Sequence, residues 1–193
     1  WGRIRPVRCS RICFPVTGLD GVRGLVYGLH TSRKGFASPA EYREDGSMRC
    51  RIKMCGMTNS EDALFAESLG ADYVGFIMAP ESPRCVTEKT VKDIVGRMRS
   101  ATCSKVGVFV NETPERVVEI MTGCGLDIAQ LHGEETEVTV ERIGPERVWK
   151  VCRLTSRDDI AAAYTCPAAA LLIDTQHKGR RGGTGQVGDW ELA

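Results

Sequence analysis

No stretch of this sequence approaches the ~20 consecutive apolar residues that a helix needs to cross a bilayer, so neither a membrane-spanning helix nor a membrane partner is expected. The chain holds nine cysteines, yet no C-x-x-C pair occurs and Cys/His clusters at zinc-site spacing are missing. An odd, scattered set of thiols reads as reduced and unpaired, which points to a cytoplasmic location and gives no reason to expect a metal. Net charge is scarce as well: 26 basic against 25 acidic residues leave +1 at pH 7, in a chain that is 42% hydrophobic. A near-neutral chain is not built as a dedicated nucleic-acid binder.

The amino-terminal part lacks acid and pattern. Between Trp1 and Ala40 stand seven Arg or Lys and a single acid, Asp20. Apolar periodicity is absent there and glycines interrupt every candidate helix. Residues 1–48 are therefore expected to pack poorly, as an extension to the regular part of the chain. Arg-rich, acid-poor leaders include transit peptides, but no amphipathic Arg-bearing face is visible. A linker from an upstream domain, or sequence read ahead of a start at Met48, fits better.

From Ile52 the text becomes regular. Short apolar runs recur in "RIKMC", "DYVGFIM", "SKVGVFV", "DIAQLH", "RVWKVCRL" and "AALLIDT". Most are continuous rather than alternating, as strands covered on both faces should be. Helical patterns lie between them. "SEDALFAESLG" opens on Ser60 with two acids and stops at Gly70. "TEKTVKDIVGRMRS" puts Val91, Ile94, Val95 and Met98 on one stripe. "TPERVVEIMTGCG" has Thr113 as N-cap and Pro114 in first helical position, and "SRDDIAAAYT" repeats the device with Ser156.

This strand–helix alternation, repeated about six times, suits an open doubly wound sheet or a (β/α)₈ barrel of which about six units are present. The open sheet calls for a glycine-rich phosphate loop after the first strand. Here that strand ends in Cys55-Gly56, with no G-x-G-x-x-G, and glycines gather instead after the sixth strand in "GRRGGTGQVG". The barrel calls for chemistry spread over the carboxyl ends of several strands, and polar residues stand at those ends: Cys55, Asn111, His132, Arg153 and Asp174, with Arg84 in the loop after the second strand. Taken singly, each has a structural explanation, such as a turn thiol, a capping aspartate or a solvated loop arginine. At equivalent places in successive units they point to one shared mouth. Gly182, Gly183 and Gly185 suit close approach to a ligand or a moving lid. A single "GRRGG" is weak evidence for an RNA contact.

The order of "KMCGMT", "EDALFAESLGADYVGFIMAPESPR", "VGVFVN", "QLHG", "LLIDT" and "GGTG…DW", over roughly residues 50–193, resembles the phosphoribosylanthranilate isomerase family of tryptophan biosynthesis. The resemblance implies a (β/α)₈ barrel and an Amadori rearrangement of N-(5-phosphoribosyl)anthranilate to a 1-amino-1-deoxyribulose phosphate. It implies that Cys55 and Asp174 are catalytic and that Arg84 faces the anthranilate carboxylate. It places His132 in the lining of the same site and the three glycines near the substrate. It implies a small phosphosugar substrate, no metal and no organic cofactor, and it leaves room for fusion to another tryptophan-pathway domain. The family has two further βα units beyond "DW", so a fragment is expected that is inactive and poorly folded by itself, or a non-catalytic remnant.

The rearrangement needs an acid to open the furanose ring and a base to take the sugar C2 proton. Asp174 can serve as acid if a dry, apolar strand end keeps it protonated. Cys55 can serve as base as a thiolate, which a nearby cation favours over the ordinary ~8.5 thiol. Indole-glycerol-phosphate synthase, a barrel enzyme of the same pathway, favours lysine and glutamate at strand ends. Here Lys53 and Lys150 lie inside strands, and no glutamate ends one in the sequence reading.

Overall fold

The computed structural model describes residues 8–12, 51–153, 159, 163 and 165–174. Seven strands form one sheet in chain order. They are β1 (Arg8–Ile12), β2 (Arg51–Cys55), β3 (Tyr73–Ile77), β4 (Ser104–Phe109), β5 (Ile128–Leu131), β6 (Val148–Arg153) and β7 (Ala170–Asp174). From β2 to β7 every neighbour is parallel. Helices α1 (Ser60–Ser68), α2 (Glu88–Val95), α3 (Pro114–Cys124) and α4 (Glu137–Ile143) fill crossovers between them. The six expected parallel strands are all present. β1 is additional: it runs antiparallel to β2, with Arg8 opposite Cys55 and Ile12 opposite Arg51. The sequence carries no strand signal there, and the rest of the leader lies outside the described residues.

Caps fix where the helices begin. The Asn59 side chain accepts the Asp62 N–H at 2.8 Å ahead of α1, and Thr87 and Thr113 cap α2 and α3 in the same way. Pro114 opens α3, and Gly125 closes it in the left-handed region at φ 67°. Helix α4 is not among the helices read from the sequence. Its "EVTV" start is rich in β-branched residues, which disfavour helix, and burial of Val140 and Ile143 one turn apart overrides that preference. Of the segment opened by Ser156, only Asp159, Ala163 and Thr165 are described, and all three are helical.

The two faces of the sheet carry different contents. On the outer face Val74, Phe76, Phe109, Leu131 and Val148 pack against Val91, Ile94, Val117, Met121 and Val140 of the helices. On the other face Tyr73, Val106, Trp149 and Ala170 form a separate cluster. Tyr73 and Trp149 meet edge to face, with ring centroids 4.8 Å apart. They belong to β3 and β6, three strand positions apart, and a flat sheet would hold them about 14 Å apart at ~4.8 Å per strand. The contact requires the sheet to curl with this face inward. The result is a half-barrel wound with helices outside, as the (β/α)₈ expectation demands.

Candidate active site

Alternation along β2 turns Lys53 and Cys55 to the inner face, where they stand opposite Tyr73 and Gly75 of β3. A side chain at Gly75 would put its first carbon 2.7 Å from the Cys55 Sγ, so the thiol needs glycine beside it. The Gly75 carbonyl accepts the N–H groups of both Gly56 and Met57, at 2.8 and 2.9 Å, which turns the chain sharply out of β2. Gly56 adopts φ +89°, a conformation open to glycine.

The second reason for Gly56 arrives from the loop after β3. That loop folds back on the strand it left: Cys85 bridges Ile77, and the Val86 N–H donates to the Ile77 carbonyl at 2.9 Å. Arg84 is thereby aimed at the end of β2, where its Nη1 donates to the Cys55 carbonyl at 2.8 Å. The guanidinium lies so close over Gly56 that an added Cβ would come within 2.6 Å of the Arg84 Cζ. Cysteine followed by glycine is thus the pair that lets a thiol and an arginine share one strand end.

Across the mouth, the His132 N–H donates to the Phe109 carbonyl at 2.9 Å just past β5. The His132 Nε2 lies 3.1 Å from the Asp174 Oδ2, and the two side chains are 20% and 24% exposed. This corrects the expected setting of Asp174. Its apolar run is divided between faces by alternation, with Leu171 in the helix-side cluster and Leu172 inside. The carboxyl at the end is partly solvated and faces an imidazole rather than a dry wall.

The structure adds a glutamate that the sequence reading missed. Glu135, just beyond β5, has a side chain 2% exposed and pairs with the Lys150 ammonium of β6 at 2.8 Å. It also accepts the Asn111 N–H at 2.8 Å and the Gly133 N–H at 2.9 Å, while Lys150 donates to the Gly133 carbonyl at 2.7 Å. Asn111 does not end a strand as expected; it lies two residues past β4 at φ 53°. The signals for this cluster were a lysine in the apolar run of β6 and an acid shortly after His132-Gly133. Burial pushes the Glu135 carboxyl up, but the Lys150 hydrogen bond and the Asn111 amide outweigh it, so the group sits below its ordinary 4.5. A carboxyl lowered by folding contributes stability above 4.5 that is lost as pH falls through the lowered value. Glu135→Gln is expected to lose about 3–5 kcal/mol at pH 7, because Lys150 stays buried without its partner. Thermal melts should show that deficit shrinking below pH 4.5. A deficit independent of pH would count against the ion pair.

Four other described thiols are poor candidates for base chemistry. Burial pushes Cys103 and Cys152 up to about 11 and raises Cys124 and Cys166 as well. Gly182, Gly183 and Gly185 lie outside the described residues, and of Arg153 only the strand position is described. Among the described residues no group of three or more His, Cys, Asp or Glu is arranged to hold a metal ion.

The family model for N-(5'-phosphoribosyl)anthranilate (PRA) isomerase matches residues 52–193. The chain belongs to this family. It is 41% identical over 146 residues to the N-(5'-phosphoribosyl)anthranilate isomerase of Rubrobacter xylanophilus, covering 74% of this chain and 70% of that one. Phosphoribosyl anthranilate isomerase from Thermotoga maritima superposes with a TM-score of 0.65 at 35% identity, over 72% of this chain and 68% of that one. A further solved phosphoribosyl anthranilate isomerase, in complex with reduced 1-(o-carboxyphenylamino)-1-deoxyribulose 5-phosphate, superposes with a TM-score of 0.56 at 33% identity, over 64% of each chain. The chain thus spans about two thirds of these relatives.

Proposed function

We propose that this chain is an isomerase that converts N-(5-phosphoribosyl)anthranilate to 1-(2-carboxyphenylamino)-1-deoxyribulose 5-phosphate, a step of tryptophan biosynthesis, with Asp174 as acid and Cys55 as base. Family membership supports the reaction. The single observation that carries the residue roles is the placement of a thiol and a carboxyl at carboxyl ends of inward-facing strands around one mouth.

Asp174 is assigned the acid role, its carboxyl hydrogen-bonded to His132 at 3.1 Å. It protonates the ring oxygen as the ring C–O bond breaks, and the anilino nitrogen lone pair forms the C=N bond of an iminium. The Cys55 thiolate then takes the proton from the sugar C2, and those electrons neutralise the iminium to give an enolamine. Tautomerisation to the ketone completes an isomerisation with no net gain or loss of electrons. No step calls for a metal or organic cofactor.

Arg84 is assigned to the substrate carboxylate. One of its donors is spent on the Cys55 carbonyl, and the rest of the guanidinium fork is free for a carboxylate gripped at two points. His132 lines the acid side. Residues 49–193 form a partial isomerase barrel in this reading, consistent with a family match that begins at 52. A cytoplasmic location fits the six described cysteines, all of them free. Among the described residues no helix is long and apolar enough to cross a membrane.

The experiment is a fluorescence assay of phosphoribosylanthranilate consumption by the 193-residue chain. Absence of both turnover and binding would overturn the assignment and favour the inactive fragment expected from the sequence. Arg84→Ala should raise KM about 10- to 100-fold and change kcat less, since the carboxylate contact exists in ground and transition states alike. Unchanged KM and kcat would remove Arg84 from the site.

A further inference from the structure

Lys53 lies one layer below Cys55 on the inner face of β2 and is only 2% exposed. Its ammonium donates to the Gln130 side-chain carbonyl and sits 5.9 Å from the centre of the Trp149 ring. Both neighbours are neutral. Among the described residues no carboxylate pairs with it, unlike Lys105 and Lys150. A buried cation without a counter-charge is costly, and a hydrogen bond to an amide offsets only part of that cost.

The thiol is close by. A carbon placed on Gly75 would lie 2.7 Å from the Cys55 Sγ and 3.1 Å from the Lys53 Cε, so both side chains crowd the same point. We propose that Lys53 is a positioning residue for the rearrangement: its ammonium is the counter-charge of the Cys55 thiolate, holding the base ionised from beneath while Arg84 remains available to the substrate. The inference rests on the reading of Cys55 as base. It assigns a role to a lysine that the reaction scheme leaves unused.

Other charged residues stand on the elements around Lys53, beginning with Arg51 of β2, which donates to the Tyr73 hydroxyl at 2.7 Å. Arg84 reaches the Cys55 carbonyl from the loop after β3, and His132 and Asp174 face it from β5 and β7. Arg8 of β1 stands opposite Cys55 in the register. The Lys150–Glu135 pair is tied to the loop after β5. All of these persist when Lys53 alone is replaced, so that replacement reads the one cation.

The test is alkylation of Cys55 by iodoacetamide, followed by peptide mass spectrometry on the full chain, with exposed Cys85 as internal reference. Lys53→Met is expected to slow Cys55 alkylation at pH 7 about tenfold, because it removes a neighbouring cation that favours the ionised thiol. Above about pH 10 the two proteins should react alike, since free thiols are ionised there in any case. Cys85 should be unaffected at every pH. Equal Cys55 rates at pH 7 would overturn the proposal. Lys53→Met leaves the buried Gln130 without its partner, so the comparison is repeated as Lys53→Met/Gln130→Leu against Gln130→Leu, with the same tenfold difference expected. In the parent chain alone, Cys55 should outpace Cys85 at pH 7 despite being less exposed; slower reaction would also count against the proposal. Turnover of Cys55→Ser tests the base assignment separately, because the alkylation rate reports ionisation of the thiol whether or not it takes a substrate proton.

Discussion

Replacing Cys55 with serine lowers turnover of phosphoribosylanthranilate by about 10²–10⁴-fold, the usual consequence of losing a general base. KM should stay near that of the parent. Serine is close to cysteine in size, so it fits beside Gly75, and it keeps the backbone carbonyl that receives Arg84. What it lacks is an accessible anion, since an alcohol ionises far less readily than a thiol. The loss therefore falls on proton removal from the sugar C2, a step made only after binding, and so on kcat. Steady-state kinetics by loss of substrate fluorescence separates the two constants. Near-parental turnover would make Cys55 a small residue chosen to fit a tight strand end.

Asp174→Asn is the companion experiment, with a kcat loss of the same order, about 10²–10⁴-fold. Asparagine preserves the shape and can still hydrogen-bond His132 across the 3.1 Å gap. It has no proton of suitable acidity for the ring oxygen, so ring opening fails while the mouth stays built. His132 cannot simply substitute, because its Nε2 is directed at residue 174. Kinetics at saturating substrate would show the effect, and a variant retaining parental kcat would take Asp174 out of the acid role.

The parallel strands were the legible part of this sequence because most are covered on both faces. Runs such as "YVGFI" are continuously apolar for a reason that packing enforces, with Tyr73 inside and Val74 and Phe76 outside. Thr113 was readable as a cap because a hydroxyl ahead of Pro114 and an acid-bearing first turn has few other uses. Helix α4 was hidden by its β-branched residues, whose preference is decided by burial rather than by local sequence. Among candidate site residues, Cys55, Arg84, His132 and Asp174 were legible by their place after strands. Their partners were not: the approach of Arg84 to Gly56 depends on a loop folding back through Ile77 and Cys85. Glu135 was passed over, since nothing local shows that a lysine 15 residues onward reaches it. Lys53 looked like an interruption in a strand, and only curling of the sheet gives it Gln130 and Trp149 as neighbours.

The Glu135 carboxylate is a common seat for the roots of two consecutive loops and for the strand that follows them. It receives the amide past β4, the amide past β5 and the ammonium from β6. These shared bonds tie this arc of the rim together at one carboxylate. The loop bearing Arg84 closes on β3 instead, with no described bond to Glu135. The described rim therefore has two separately anchored arcs. One is tied to Glu135 and carries His132, where proton transfer tolerates little displacement. The other is tied to β3 and to the Cys55 carbonyl and carries the arginine, whose charged fork is offered to a carboxylate.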